Sequence, residues 1–262
     1  MDHRLLPLRF TRMSPLGFAG SVLFLAFFIA ALRGTHFSLG EIVRGAPYMG
    51  ELVAEMFPPS LARLGPVLWS LLETFQMALV GTVFGVVLSL FLGVLATRSL
   101  TPNVAIYQAA RTLIALFRTV PDLIWALIFV VLVGLGPFAG TLAIMVDTVG
   151  FCGRFFAEAM EEVDKGPQEA LSAIGASRLG TICCSVFPAA LPSFIGTALF
   201  SLEKATRSSV VLGLVGAGGI GIELKVSMDM FMYSQASTII ILVFALVLLV
   251  ERFSSHLRQR VI

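Results

Sequence analysis

Charge is what this 262-residue chain most lacks: Asp, Glu, Lys and Arg make up 13% of it, against roughly 25% in soluble domains, while 57% is apolar. An ordinary cytosolic protein is thereby excluded. Histidine is scarce too. His3, His36 and His256 are all terminal or in loops, so the sequence offers no Ser/His/Asp or metal constellation of the kind an integral membrane enzyme needs. Cysteine is limited to Cys152, Cys183 and Cys184, an odd number without CxxC or His-paired spacing. They read as free, packed thiols, not as a disulfide framework or metal site. None of Lys165, Lys204 and Lys225 closes a glycine-rich run and precedes Ser or Thr, so there is no P-loop and any ATP-driven work needs another polypeptide. A formal net charge of +2 gives no reason to expect a nucleic-acid partner.

Long apolar runs are what the chain does have. A bilayer core asks for about 20 apolar residues per helix. The candidates are Gly17 to Leu32, Pro66 to Ala96, Leu113 to Val133, Phe138 to about Phe156, Pro188 to Leu202 and Met230 to Val250. They predict an all-α, polytopic membrane bundle of about six transmembrane helices. The first run follows Arg4, Arg9 and Arg12 but ends without a small-x-small cleavage site, so it reads as a retained helix, not a signal-peptide core. With the N-terminus in the cytoplasm, twelve Lys and Arg fall on the inner side and six on the outer. That matches the positive-inside bias and places both termini on the cytoplasmic face of an inner membrane. Residues 1–65 are expected to hold the first helix and an external segment, and residues 66–262 the core. In the external segment, Met49 to Met56 carries Glu51 and Glu55 opposite Leu52, Val53 and Met56, and ends at Phe57-Pro58-Pro59. It reads as a short interfacial helix or as an ordered loop.

Glu158 to Phe187 is the polar stretch that asks for an explanation, because so apolar a chain has little reason to keep it between two spans unless something docks there. Gly166-Pro167 is expected to break one helix and start the next, which puts Glu169 in a first turn where its charge suits the helix dipole. Gly175 can end that helix. The pattern Glu169-Ala170-Leu171, three residues, Gly175, nine residues, Ser185-Val186-Phe187-Pro188 resembles the EAA loop of permease subunits from ATP-binding-cassette importers. It matches at Glu169, Ala170, Gly175 and Pro188 and departs at Leu171, Ser185 and Phe187. The resemblance implies a type I importer permease fold with a coupling loop over 158–188, whose short helix fits a groove on the ATPase subunit. An amphipathic helix lying on the inner leaflet is the plainer alternative.

Gly213, Gly216, Gly218, Gly219 and Gly221 form a second feature. Gly216-Ala-Gly218-Gly219-Ile-Gly221 has the look of a nucleotide-binding turn but lacks the strand and βαβ context of one. Between two spans it reads as a flexible apolar plug, since irregular backbone at membrane depth is tolerated where it is buried in protein. Arg207-Ser208-Ser209-Val210-Val211-Leu212-Gly213 with this segment, and Phe129 to Gly140, resemble phosphonate-importer permeases. There the loop before the last span, here 203–229, forms part of the outer gate. The resemblance runs from about Ala96 to the C-terminus.

Ionisable residues within spans usually face a bundle interior or a wet route. Arg118 and Asp122 stand four apart around Pro121 in the third span, either attracting and releasing an oxyanion or forming a structural pair at the inner interface. Glu203 and Arg207, also four apart and flanking Lys204, suggest an intrahelical pair at the outer end of the fifth span, able to steer an anion or merely exposed. Asp147, and Glu73 with Gln76, suit interhelical hydrogen bonds. By resemblance the chain is a non-enzymatic permease subunit that dimerises with a second copy in membrane lipid. It receives phosphonate or a related phosphorus oxyanion (phosphite, phosphate) from an extracytoplasmic binding protein, and is driven by an ATPase dimer that holds ATP and Mg; the chain itself needs no cofactor. A permease for methionine or an osmolyte, and a secondary transporter, are the rival readings.

Overall fold

The computed structural model describes residues 14–261, and every regular element among them is helical. His3, Arg4, Arg9 and Arg12 lie outside the described residues. The chain divides into two compact units, Met1–Ala54 and Glu55–Ile262.

In the first unit, α1 (Pro15–Gly34) starts where the Ser14 hydroxyl accepts from the Gly17 N–H at 3.1 Å, with Pro15 in the first turn. α2 (Leu39–Glu55) is amphipathic and twice as long as the expected interfacial helix. The Ser38 hydroxyl accepts from the Glu41 N–H at 3.3 Å and so begins the helix well before Met49, leaving Pro47 as an interior residue that fails to stop it.

In the second unit, α3 (Leu64–Leu95) and α6 (Pro137–Glu161) form the central pair. Apolar side chains give no net drive to association in lipid, so close packing has to supply it, and α3 meets α6 through small residues. A Cβ at Gly85 would stand 2.5 Å from the Thr148 Cβ, so the two backbones approach as closely there as glycine allows. Around this pair run α4 (Val104–Thr119), α5 (Asp122–Val133), α9 (Phe187–Gly213), α10 (Ile220–Asp229) and α11 (Tyr233–Val261). Among the described residues, five helices are long and apolar enough to cross a membrane, and α4 with α5 makes a sixth span if the pair is counted as one.

Two spans differ from their sequence outline. The third is broken at Val120-Pro121, where α4 and α5 meet at 93°. Pro121 has no N–H to continue α4 and biases Val120 to its extended conformation, so the helix stops there and restarts at Asp122. The fifth does not begin at Pro188. α8 (Arg178–Thr181) passes through a π-turn (Ile182–Val186) directly into α9, making one 36-residue rod. The π-turn shifts the bonding so that the Phe187 N–H reaches the Ile182 carbonyl, and Pro188 is accommodated just after it. Of the three free cysteines only Cys152 is packed; Cys183 and Cys184, on the π-turn, are exposed.

Candidate translocation site and coupling loop

The hairpin between α6 and α9 is set by local capping. Asp164 accepts from the Gly166 N–H at 3.1 Å and starts α7 (Lys165–Ala173) two residues before Pro167, so Glu169 sits one turn inside the helix and not in its first turn. Gly175 takes φ +81° and ends the element, with its N–H on the Ser172 carbonyl and that of Ala176 on the Leu171 carbonyl. Ser177 then caps α8 through the Gly180 N–H at 3.2 Å. Glu169 is exposed on the wall of an open groove of about 530 Å3, with Lys165, Gln168, Ser172 and Arg178 around it. Glu169, Ala170 and Gly175 thus share one hairpin, while Pro188 belongs to the span that the hairpin feeds.

At the opposite end of α9 the glycine-rich segment is a fixture, not a flexible plug. Gly216, Gly218 and Gly219 all take positive φ. Gly219 donates to the Glu73 carboxylate at 2.9 Å and Ile220 to the Thr74 hydroxyl at 2.7 Å, tying the segment to α3. Gly136 donates to the Gly216 carbonyl at 3.0 Å, tying it to the α5–α6 turn. A Cβ at Gly218 would meet Pro137 at 2.6 Å, one at Gly213 would meet the Gly221 Cα at 2.7 Å, and Gly221 lies against the Val210 carbonyl. Ala217, Ile220 and Leu212 are fully buried beneath it. Glycine here serves contact, and contact removes the freedom that composition alone suggested.

The charged residues regroup in space. The 93° bend puts Arg118 and Asp122 on different helices, which voids their four-residue spacing. Asp122, the first residue of α5, accepts locally from the Leu123 N–H at 2.9 Å. Glu203 and Arg207 do not pair either. α9 continues to Gly213, so Glu203 is interior and buried, and its carboxylate takes the Arg258 guanidinium of α11 at 2.7 Å. Arg207 is exposed and makes no side-chain hydrogen bond or ion pair with the described residues.

Lys204 was passed over in the sequence as a flanking residue. Its ammonium lies 2.8 Å from both oxygens of Asp147 on α6 and 5.3 Å from the centroid of the Phe151 ring. Asp147 is the first member of a stripe, Asp147, Phe151, Arg154, Glu158 and Glu161, spaced four, three, four and three along one face of α6. Arg154 pairs with Glu158 at 2.7 Å and Arg111 of α4 with Glu161 at 3.1 Å. Arg118 stands beside the stripe, because its backbone packs on Gly150, where a Cβ would come within 2.8 Å of the Arg118 nitrogen. Between α4 and α6 lies a cavity of about 230 Å3 with Arg111, Arg118, Arg154 and Glu158 in its wall. A file of part-exposed charges therefore runs from the middle of the bundle toward the hairpin end. Its 3.5-residue period was present in the sequence and would have exposed it. Of the residues expected to make interhelical hydrogen bonds, Asp147 does so through Lys204 and Glu73 through the Gly219 N–H, whereas the Gln76 side chain makes none with the described residues.

A tied-down glycine segment at one end of a bundle of apolar spans and an exposed polar hairpin at the other are the parts a membrane transport permease calls for. Comparison with known proteins narrows the class. The chain belongs to the family of binding-protein-dependent transport system inner membrane components, whose model matches residues 85–262. The putative phosphite transport system permease protein HtxC of Stutzerimonas stutzeri is 36% identical over 245 residues, 94% of this chain and 87% of that one. The putative phosphite transport system permease protein HtxE of the same organism is 45% identical over 162 residues, 62% of each chain. Among solved structures, the MetNI methionine ABC transporter in an inward-facing conformation aligns with a TM-score of 0.64 and 26% identity, covering 76% of this chain and 99% of that one. The family consists of ABC-importer permease subunits, which are transport proteins and not enzymes.

Proposed function

We propose that the chain carries phosphonate or a related phosphorus oxyanion, phosphite or phosphate, across the inner membrane. The observation that carries this reading is the similarity to a phosphite permease along 94% of the chain, against 26% identity to the methionine transporter. The charged file supports it, since Arg111, Arg118, Arg154 and Lys204 outnumber the carboxylates of Glu161, Glu158 and Asp147 by one, and an anion crossing a low-dielectric interior needs positive charge along its route. An extracytoplasmic binding protein delivers the solute to the glycine-segment side, where exposed Arg207 steers it. Arg118 and Asp122 serve the inner half of the pathway, and Glu203 holds α9 to α11. Glu169, Ala170 and Gly175, with Pro188 behind them, receive the movement of an ATPase dimer that binds ATP and Mg. Gly213 to Gly221 then opens and closes as the outer gate, in an alternating-access cycle, with both termini cytoplasmic.

A single half-pathway needs a partner across a two-fold axis, and a second copy of this chain fills that place. A related but different permease is the second reading, favoured by the match to two distinct phosphite permeases of one organism. Both readings, and the substrate class, are tested by purifying the complex from its native membrane, counting the permease species, and identifying the small molecule held by the co-purified binding protein. One permease species and a phosphorus oxyanion are expected. An amino acid or osmolyte in the binding protein would contradict the substrate class, and recovery without any ATPase subunit would contradict the importer itself.

A further inference from the structure

We propose that Lys204 is an anion-binding station in the middle of the pathway, and that Asp147 is its resting counter-ion, exchanged for the phosphorus oxyanion as the solute passes. The station rests on the substrate class proposed above and gives that class a binding group.

Position comes first. Lys204 is nine residues from the end of α9, about 14 Å along its axis, and Asp147 is ten residues into the 25-residue α6. The pair therefore sits near mid-depth, where ionised side chains are expensive and rarely kept without use. Above it, toward the glycine-segment end, Ala217 of the proposed gate packs fully buried against Gly140 of α6. Below it the charged stripe of α6 leads through Arg154 toward the cavity that holds Arg118. The station thus lies between the gate and the exit file.

Exposure comes second. The Lys204 side chain is 36% exposed and that of Asp147 16%, so the carboxylate covers one side of the ammonium and leaves another open. Phe151 packs on the cation without spending any of its three donors. A pair kept only to hold α6 to α9 has no need of an open face. Nor does that seam need ions, since Phe156 on Phe194 and Phe151 on Phe200 already join the same two helices.

The exchange also makes sense chemically. An arriving oxyanion offers several oxygens to the ammonium in place of the carboxylate's two, and the cation is never left bare while one anion replaces the other. The Asp147 carboxylate stays beside the ammonium and competes with the solute, so the anion is held weakly, and weak holding is what a transport intermediate requires.

Initial rates of ATP-dependent phosphite uptake into proteoliposomes, with the binding protein inside the assay and rates normalised to assembled complex, test the station. Lys204→Gln is expected to lower uptake at least tenfold and Lys204→Arg to keep a third or more. Asp147→Asn, which removes the competing anion but keeps the ammonium, is expected to transport more slowly than native yet at least threefold faster than Lys204→Gln. The apolar double variant Lys204→Met with Asp147→Leu removes both charges and protects the fold, yet is expected to transport as poorly as Lys204→Gln. Recovery of the double variant to within threefold of native, or Asp147→Asn failing as badly as Lys204→Gln, would make the pair a structural clasp and overturn the proposal. If the native complex transports neither phosphite, phosphonate nor phosphate, the substrate class falls and takes the station with it. A transporting native complex with a recovered double variant removes the station alone.

Discussion

Replacing Thr74 by Val should loosen the proposed outer gate by an amount the structure lets us bound. Thr74 is fully buried, and its hydroxyl accepts from the Ile220 N–H at 2.7 Å while donating to the Ser70 carbonyl at 2.8 Å. Val keeps the shape and removes the acceptor. Ile220 is itself fully buried, so its N–H has no water to turn to. Leaving such a donor unmet costs about 1–3 kcal/mol, and that cost falls only on the closed arrangement, because an opened segment can find other partners. The closed-to-open ratio should therefore drop roughly 5- to 150-fold. A single reporter cysteine reads this directly: Val215→Cys, at a partly buried position within the segment itself, in a background with Cys152, Cys183 and Cys184 replaced by serine. Its labelling by a membrane-impermeant maleimide, added from the side that the proposed orientation makes external, should accelerate by that factor in Thr74→Val and stay at the native rate in Thr74→Ser. An acceleration below twofold, in a complex that assembles normally, would refute the reasoning that the Thr74 bond holds the gate shut.

The remaining predictions address the other parts. Glu169→Lys should leave the permease folded but abolish coupled uptake, read as transport per ATP hydrolysed in proteoliposomes, because it reverses the charge on an exposed wall of the groove proposed to receive the ATPase. Arg258→Leu should destabilise the protein by about 3–5 kcal/mol, since it strands the buried Glu203 carboxylate, and pairing it with Glu203→Leu should recover most of that loss in detergent unfolding measurements. Arg207→Ala should lower uptake of an anionic solute mainly at low ionic strength; an unchanged rate there would remove its steering role.

The spans were readable because hydropathy averages over many residues and tolerates local error. α3, α6 and the start of α11 fall close to where their apolar runs place them. The end of α9 was not readable in the same way. Glu203, Lys204 and Arg207 look like the polar cap of a span, yet two of them are neutralised by residues more than fifty positions away, Asp147 and Arg258. Nothing local announces such partners, and i to i+4 spacing offered tempting but wrong ones. Pro121 and Pro188 show the same limit. Proline signals an irregularity but not its form, and here one becomes a right-angle break and the other follows a π-turn inside a continuous rod. The hairpin around Glu169 and Gly175 was readable in outline, because capping by Asp164 and termination at a positive-φ glycine are local matters. Glycine content alone misled at Gly213 to Gly221. It reports freedom in the unfolded chain, whereas burial and the bonds that Gly219 and Ile220 donate to Glu73 and Thr74 decide mobility in the folded one.

The central claim is that this permease moves phosphorus oxyanions for an ATP-driven importer. Its most direct measurement is uptake by the reconstituted permease, ATPase and binding protein, with labelled phosphite and methionine offered in parallel, with and without ATP. The account predicts accumulation of phosphite that requires both ATP and the binding protein and is competed by phosphonate, with no methionine taken up. ATP-dependent methionine uptake without phosphite uptake would contradict it.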